Sequence, residues 1–389
     1  MRFSGRRLAI FLSILGTITA LLHGYAWLRL VHDPAWPSLP TLIGSIALAL
    51  LAVALPGSII AARTMRSTIA IPVGRIAYVW LGTIFYLDVS LAVLDVGRAI
   101  FESVAYASVD PPWGEGAGAA RTFAGAALAI AAGLVTSGLV RGLGSPSIVR
   151  VRVPIADLPA AFDGFRIVQL TDVHIGPLLR RAFAQRITDA VRALSPDLVA
   201  VTGDLVDGSV AELTAEVAPL AKLSAPHGVF FVTGNHEYFS GADAWSAHVE
   251  RALGWTTLRN RHVVIEKDGA RLTLAGIDDA HAPRFGGVTD LDAALRDRDP
   301  SLPVILLAHQ PRSVEHAERA GVALQISGHT HGGQMQPFGA LVRIEQPVLR
   351  GLSRFGSTAL WVSQGTGTWG PPLRVGTRSE ISVIELTRA

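Results

Sequence analysis

The chain has 389 residues, 50% of them hydrophobic and only 17% charged, with a mean hydropathy of +0.39. It contains no cysteine, which excludes disulfides, thiolate metal sites and cysteine nucleophiles and leaves nitrogen and oxygen as metal ligands. From Pro146 onward 24 basic and 25 acidic residues remain, and this neutral half argues against nucleic acid as a partner, which selects a basic face.

The apolar residues are not spread evenly. Ten Arg, no Lys and six acidic residues precede Ser145 among long apolar runs, and the remainder is nearly neutral. Residues 1–145 therefore read as a membrane anchor and residues 146–389 as a globular part.

Within the anchor, four apolar spans at 8–30, 41–62, 76–97 and 122–140 each approach the ~20 residues that cross a bilayer. Residues 32–37, 63–75 and 110–115 read as the loops between them. The basic start at Arg2, Arg6 and Arg7 resembles that of an export signal, but three further spans favour a permanent anchor. The third span carries Asp88 and Asp95. A mid-membrane Asp costs about 2.5–3.5 kcal/mol, against about 0.3–0.6 kcal/mol returned by each Leu, Ile, Val or Phe, so this span needs neighbours to insert. Both acids are expected to face Arg98, a loop or water at the bundle edge.

If all four spans insert, Arg2, Arg6, Arg7, Arg63, Arg66, Arg75, Arg141, Arg150 and Arg152 fall on one side. The basic-loop rule makes that side cytoplasmic and places the globular part there, at the inner or plasma membrane. Failure of the third span would flip it.

In the globular part, residues 141–163 form a linker and lead-in strand. Five short apolar runs of the kind that make buried strands follow, and each ends in a potential metal ligand. Residues 167–171 run into Asp172-Val173-His174, residues 198–202 into Gly203-Asp204 and then Asp207, and residues 228–233 into Gly234-Asn235-His236-Glu237. Residues 304–308 run into His309, and residues 322–327 into Gly328-His329-Thr330-His331. A helical stretch at 180–194, stopped by Ser195-Pro196, separates the first two runs. This order predicts an α/β core with its site at the strand C-terminal ends. Asp172 and His174, like His329 and His331, are two apart and are expected to leave a strand end on the same side. Glycines beside Asp204, Asn235 and His329 let the backbone pass close to a crowded polar centre.

These blocks, all in order between about 150 and 386, resemble the calcineurin-like metallophosphoesterases. The run Gly328-His329-Thr330-His331-Gly332-Gly333-Gln334 is similar to that of a membrane-linked bacterial subgroup. The resemblance implies a four-layer α/β/β/α sandwich and two divalent metal ions. Asp172, His174 and His331 would hold the first, Asn235, His309 and His329 the second, and Asp204 would bridge them. His236 would stand over the scissile phosphate as acid or charge stabiliser. Four His disfavour Mg and Ca and leave Mn, Fe or Zn. Asp207, Glu237 and Asp278 are candidates to orient a ligating His. Arg374 reads either as a phosphate holder or as a surface residue. Tyr238, Phe239, Trp245 and Trp369 read as an entrance for an acyl chain or as core.

The implied activity is hydrolysis of phosphodiester or pyrophosphate bonds in lipid-linked or nucleotide-linked envelope substrates, beside a lipid bilayer. The alternatives are a phosphomonoesterase or protein phosphatase on soluble substrates and, in a different class, an inert membrane sensor or scaffold.

Overall fold

The computed structural model describes residues 5–64, 67–104 and 116–389. The chain forms two compact units, one of residues 1–140 with 370–373, the other of residues 141–369 with 374–389.

The first unit is helical: α1 (Gly5–Trp27), α2 (Ser38–Thr64), α3 (Ser67–Val104) and α4 (Gly116–Leu143). All four carry stretches long and apolar enough to cross a membrane. The helices outrun the apolar spans. α2 and α3 take up most of the loop expected at 63–75, because backbone hydrogen bonding continues into polar flanks that hydropathy scores as loop. The loop expected at 110–115 lies outside the described residues.

Polar contacts join α1, and the turn that follows it, to α3. Trp80 donates to Nε2 of His23 at 3.0 Å. Seventy residues of sequence separate Tyr25 from Asp95, yet the phenol donates to that carboxylate at 2.6 Å. Arg29 adds a second contact to Asp95 at 2.9 Å. Asp95 thus pairs with Arg29, not with Arg98, which is taken by Glu102 one turn on at 2.8 Å. Asp88 is buried without a hydrogen-bond partner and faces neither Arg98 nor water.

The second unit is built on two mixed six-stranded sheets. In the first the order is β1 (Ser147–Ile155), β12 (Glu380–Arg388), β2 (Arg166–Leu170), β3 (Leu198–Thr202), β4 (Val229–Val232), β5 (Thr256–Thr257). The second runs β10 (Gly351–Phe355), β11 (Thr358–Val362), β9 (Leu324–Ser327), β8 (Val304–Leu307), β7 (Ala270–Gly276), β6 (Arg261–Lys267). β2, β3 and β4 are parallel, as are β7, β8 and β9, so the expected strands all end at the same edges of their sheets.

Strand alternation builds two cores from one sheet. Ile167, Leu198, Ala200 and Val232 face β7–β9 and β11, where they meet Leu274, Ile305, Ile326 and Trp361. Val168, Leu170, Val199 and Val201 face outward onto α5 (Arg181–Ala193), whose Phe183, Ile187 and Val191 repeat at helical spacing. Burying each such side chain contributes about 1.5–3 kcal/mol. A smaller core covers the other sheet with α6 (Leu291–Ala294) and α7 (Val314–Arg319). The result is a helix–sheet–sheet–helix sandwich, the expected four layers.

Gln169 interrupts the apolar core between the sheets. Its amide donates to Thr202 Oγ1 at 2.7 Å and to the Ser327 carbonyl at 2.9 Å, and its oxygen accepts from Trp361 Nε1 at 3.0 Å. Every buried polar atom of this side chain is thus satisfied, and β2, β3, β9 and β11 are tied together just beneath the residues that follow them.

Candidate metal centre

All eight site residues expected from the sequence gather where β2, β3, β4, β8 and β9 end. Asp172, His174 and His331 form one group of converging ligand atoms, and Asp204, His309 and His329 another. His174 Nε2 lies 3.1 Å from His331 Nε2, which is 3.3 Å from Asp172 Oδ1. His309 Nε2 is 3.2 Å from each of Asp204 Oδ2, Asn235 Oδ1 and His329 Nδ1. Asp204 Oδ2 also reaches to 3.9 Å from His174 Nε2, so it faces both groups.

These spacings fit metal binding. Bonds of about 2.0–2.2 Å place neighbouring donors about 3.0–3.6 Å apart, and hydrogen bonds alone leave this many nitrogens and oxygens poorly matched. Crowded charge and burial move these groups in both directions, Asp172 upward by burial among them. Burial works against an ionised Asp204, but His309 and His236 outweigh it and hold the carboxyl well below its usual range. Burial, reinforced by the charge of His309, lowers His329 to about 3. His331 is driven well below normal by burial and by Arg374. His309 moves the other way, because Asp204 overcomes the cost of burying its charge. The carboxylates call for positive charge at the centre, which a cation supplies. His309 Nδ1 faces the Thr202 carbonyl at 2.8 Å, fixing the ring with Nε2 toward the cluster.

The backbone here departs from the strand geometry expected of the paired ligands. β2 ends at Leu170 and β9 at Ser327, so the pleat does not bring Asp172 beside His174 or His329 beside His331. Left-handed backbone does: φ is 52° at Asp172, 50° at His174, 51° at Asp204, 70° at His329 and 50° at His331. Each costs an L-residue roughly 1–2 kcal/mol, and such strain concentrates at functional sites. At Gly328 an added Cβ would overlap Thr171 Oγ1 and Asp172 Oδ2, and at Gly234 it would overlap Asp204. The glycines are there for close approach.

His236 begins its helix beside the cluster. Its backbone amide donates to Asp204 Oδ1 at 2.8 Å, and its Nδ1 lies 2.6 Å from Asp207 Oδ1. The same carboxylate oxygen is 2.9 Å from His174 Nδ1. Burial disfavours a charged His236, yet Asp204 and Asp207 raise it to about 9. Asp207 thus orients two imidazoles, as expected.

Glu237 and Asp278 orient none. Glu237 accepts four backbone amides, from Gly234 at 2.6 Å, Asp204 at 2.9 Å, Leu205 at 2.8 Å and Val206 at 3.3 Å. It clamps the loop after β3 to the loop after β4. Asp278 instead takes Arg259 and the Thr233 hydroxyl. Arg374 is not a surface residue. It is fully buried and donates to the carbonyls of His331 at 2.8 Å and Gly367 at 2.6 Å.

Of the aromatic residues, Trp245 and Tyr238 are buried. Phe239 and Trp369 remain 53% and 48% exposed, with ring centres 5.5 and 6.3 Å from that of His236. The sequence reading missed Asp279, which is buried and takes Gln310 and His281 next to His309. The Asp278-Asp279 pair after β7 was the signal for it.

A two-sheet sandwich with His, Asp and Asn at its strand ends defines a metallophosphoesterase fold. The chain belongs to the calcineurin-like phosphoesterase family, whose pattern matches residues 165–333. It is 37% identical over 273 residues to a transmembrane protein with metallophosphoesterase domain from Danio rerio, covering 68% of this chain and 62% of that one. An uncharacterized metallophosphoesterase of Helicobacter pylori is 37% identical over 64% of this chain and 66% of its own. One from Aquifex aeolicus is 34% identical, covering 57% of this chain and 84% of that protein. The chain thus spans less than two thirds of the length of the first two. The four apolar helices and the relatives named as transmembrane make it a membrane protein.

Proposed function

We propose that the chain is a membrane-anchored two-metal phosphoesterase, cleaving phosphodiester or pyrophosphate bonds in lipid-linked substrates. One observation carries this reading: Asp172, His174, Asp204, Asn235, His309, His329 and His331 turn their donor atoms toward one another, with His236 at the rim. Asp172, His174 and His331 would hold one ion, Asn235, His309 and His329 the other, and Asp204, which faces both groups, would serve both. The imidazole-rich donor set suits Mn, Fe or Zn. Such ions, when bound, lower the pKa of a coordinated water and neutralise charge on phosphate oxygens.

His236 supplies the proton. With Nδ1 held by Asp207, its Nε2 faces the cluster, 4.0 Å from Asp204 Oδ2. Protonated, with Asp207 on its Nδ1, His236 passes the Nε2 proton to the leaving oxygen as the P–O ester bond breaks. Water oxygen takes the vacated place on phosphorus and loses its proton to solvent. Acid help of this kind is worth about 10²–10⁴-fold.

The exposed rings of Phe239 and Trp369 beside His236, on a protein tethered to a bilayer, support an acylated leaving group or an acylated phosphate. The basic loops support a cytoplasmic catalytic unit, which a C-terminal reporter fusion tests. The main experiment assays the purified full chain in detergent after chelation and metal re-addition, comparing bis(p-nitrophenyl) phosphate with p-nitrophenyl phosphate. Metal-dependent diester cleavage is expected. A clear monoester preference rejects the diester reading, and metal-independent turnover rejects the mechanism.

A further inference from the structure

A second polar site lies outside the metal centre. A cavity of about 660 Å³ opens at the end of the first sheet where β1 and β12 begin, and Arg141, Arg350 and Arg378 line it. The three arginines come from distant parts of the chain, and all are exposed. One carboxylate shares the cavity, Glu380, and its oxygens are already taken. Oε1 accepts from Ser363 Oγ at 3.2 Å and the Gln364 amide at 3.1 Å. Oε2 accepts from Gln364 Nε2 at 2.9 Å and, weakly, Arg378 Nε at 3.4 Å.

Arg350 spends only one nitrogen, Nη1, on Gln364 Oε1 at 3.3 Å and the Gly376 carbonyl at 2.9 Å. Among the described residues no carboxylate pairs with Arg141 or Arg350. The cavity therefore holds an excess of two positive charges and several guanidinium N–H groups with no protein acceptor. Solvated surface arginines repel and spread. Three brought to one concave site match a phosphate, which guanidinium binds through paired N–H donors.

The position in the chain selects the source of that phosphate. Arg141 belongs to the last turn of α4, a helix apolar and long enough to span a bilayer. An arginine at the end of such a helix is at headgroup level, where basic clusters recruit acidic lipids. We propose that Arg141, Arg350 and Arg378 bind the phosphate of an acidic phospholipid headgroup, at a site separate from the catalytic centre.

The test titrates the full chain in non-ionic detergent with dihexanoylphosphatidylglycerol, dihexanoylphosphatidylcholine and inorganic phosphate, by calorimetry. The glycerol lipid is expected to bind, and at least about tenfold more tightly than the choline lipid or free phosphate. Arg350→Gln and Arg378→Gln should each weaken it about tenfold. Arg141→Gln, at an exposed residue that pairs with no carboxylate among the described residues, should do likewise and guards against a misfolded variant. Asp204→Ala separates this site from the catalytic one, since it should leave lipid binding unchanged. Equal affinity for the choline lipid or for phosphate overturns the proposal. So does binding that survives the arginine variants but is lost in Asp204→Ala.

Discussion

Asp207 holds His236 by its Nδ1 at 2.6 Å, and that one contact fixes which nitrogen of the imidazole faces the metal ligands. The carboxylate oxygen is shared with His174 at 2.9 Å, so a single acid serves the proposed proton donor and a proposed ligand. The two roles can be separated.

His236→Ala should leave metal content unchanged and cut kcat by about 10²–10⁴-fold. Metal analysis and steady-state rates on the same preparation check it. Turnover near wild type would remove His236 from the mechanism.

Asp207→Asn should show both effects in milder form. Losing the charge behind His236 lowers kcat at saturating metal, and losing the partner of His174 weakens metal affinity by about 10–100-fold. Metal titrations of activity read the two separately. A drop in kcat with unaltered metal affinity would mean that His174 does not depend on Asp207.

Asp204→Ala should lose both ions, because Asp204 Oδ2 faces both groups. The purified variant is expected to hold little metal, and chelator should no longer shift its thermal midpoint, whereas it should lower that of the wild type. Retention of one full equivalent would show that the bridge is not shared.

The strand ends were legible in the sequence because each ligand directly follows a short apolar run, and both features are local. What those residues do with their backbone was not. The left-handed φ of Asp172, His174, Asp204, His329 and His331 is imposed by the crowding of five loops, and nothing in an Asp or His announces it. Glu237 likewise reads as a polar neighbour of two histidines until the amides of two separate loops are seen to converge on it. Arg374 is buried by carbonyls that its own segment does not contain. Asp95 takes Arg29, 66 residues away, over the nearer Arg98, since only folded helices bring the former close.

Glu237→Gln tests the clamp. An amide offers one acceptor oxygen where the carboxylate offers two, so at least one of four buried N–H groups loses its partner at about 1–3 kcal/mol. The expected result is a lowered midpoint in denaturant unfolding together with weaker metal binding, as the loop carrying Asp204 comes free from the one carrying Asn235. Unchanged stability would assign Glu237 no structural part.

The rings of Phe239 and Trp369 yield a prediction about substrate size. Each keeps about half of its surface in solvent, apolar area that a bound acyl chain would remove from water. If an acyl chain covers them, Phe239→Ser and Trp369→Ala should lower kcat/KM for a long-chain phosphodiester about tenfold and leave a methyl phosphodiester within about twofold, since removed contact area matters only to the substrate that fills it. The difference should appear mainly in KM, because the rings lie beside His236 and not between it and Asp207. An equal fall for both substrates would instead mean that the rings shape the site around His236, and the case for a lipid-linked substrate would lose its support.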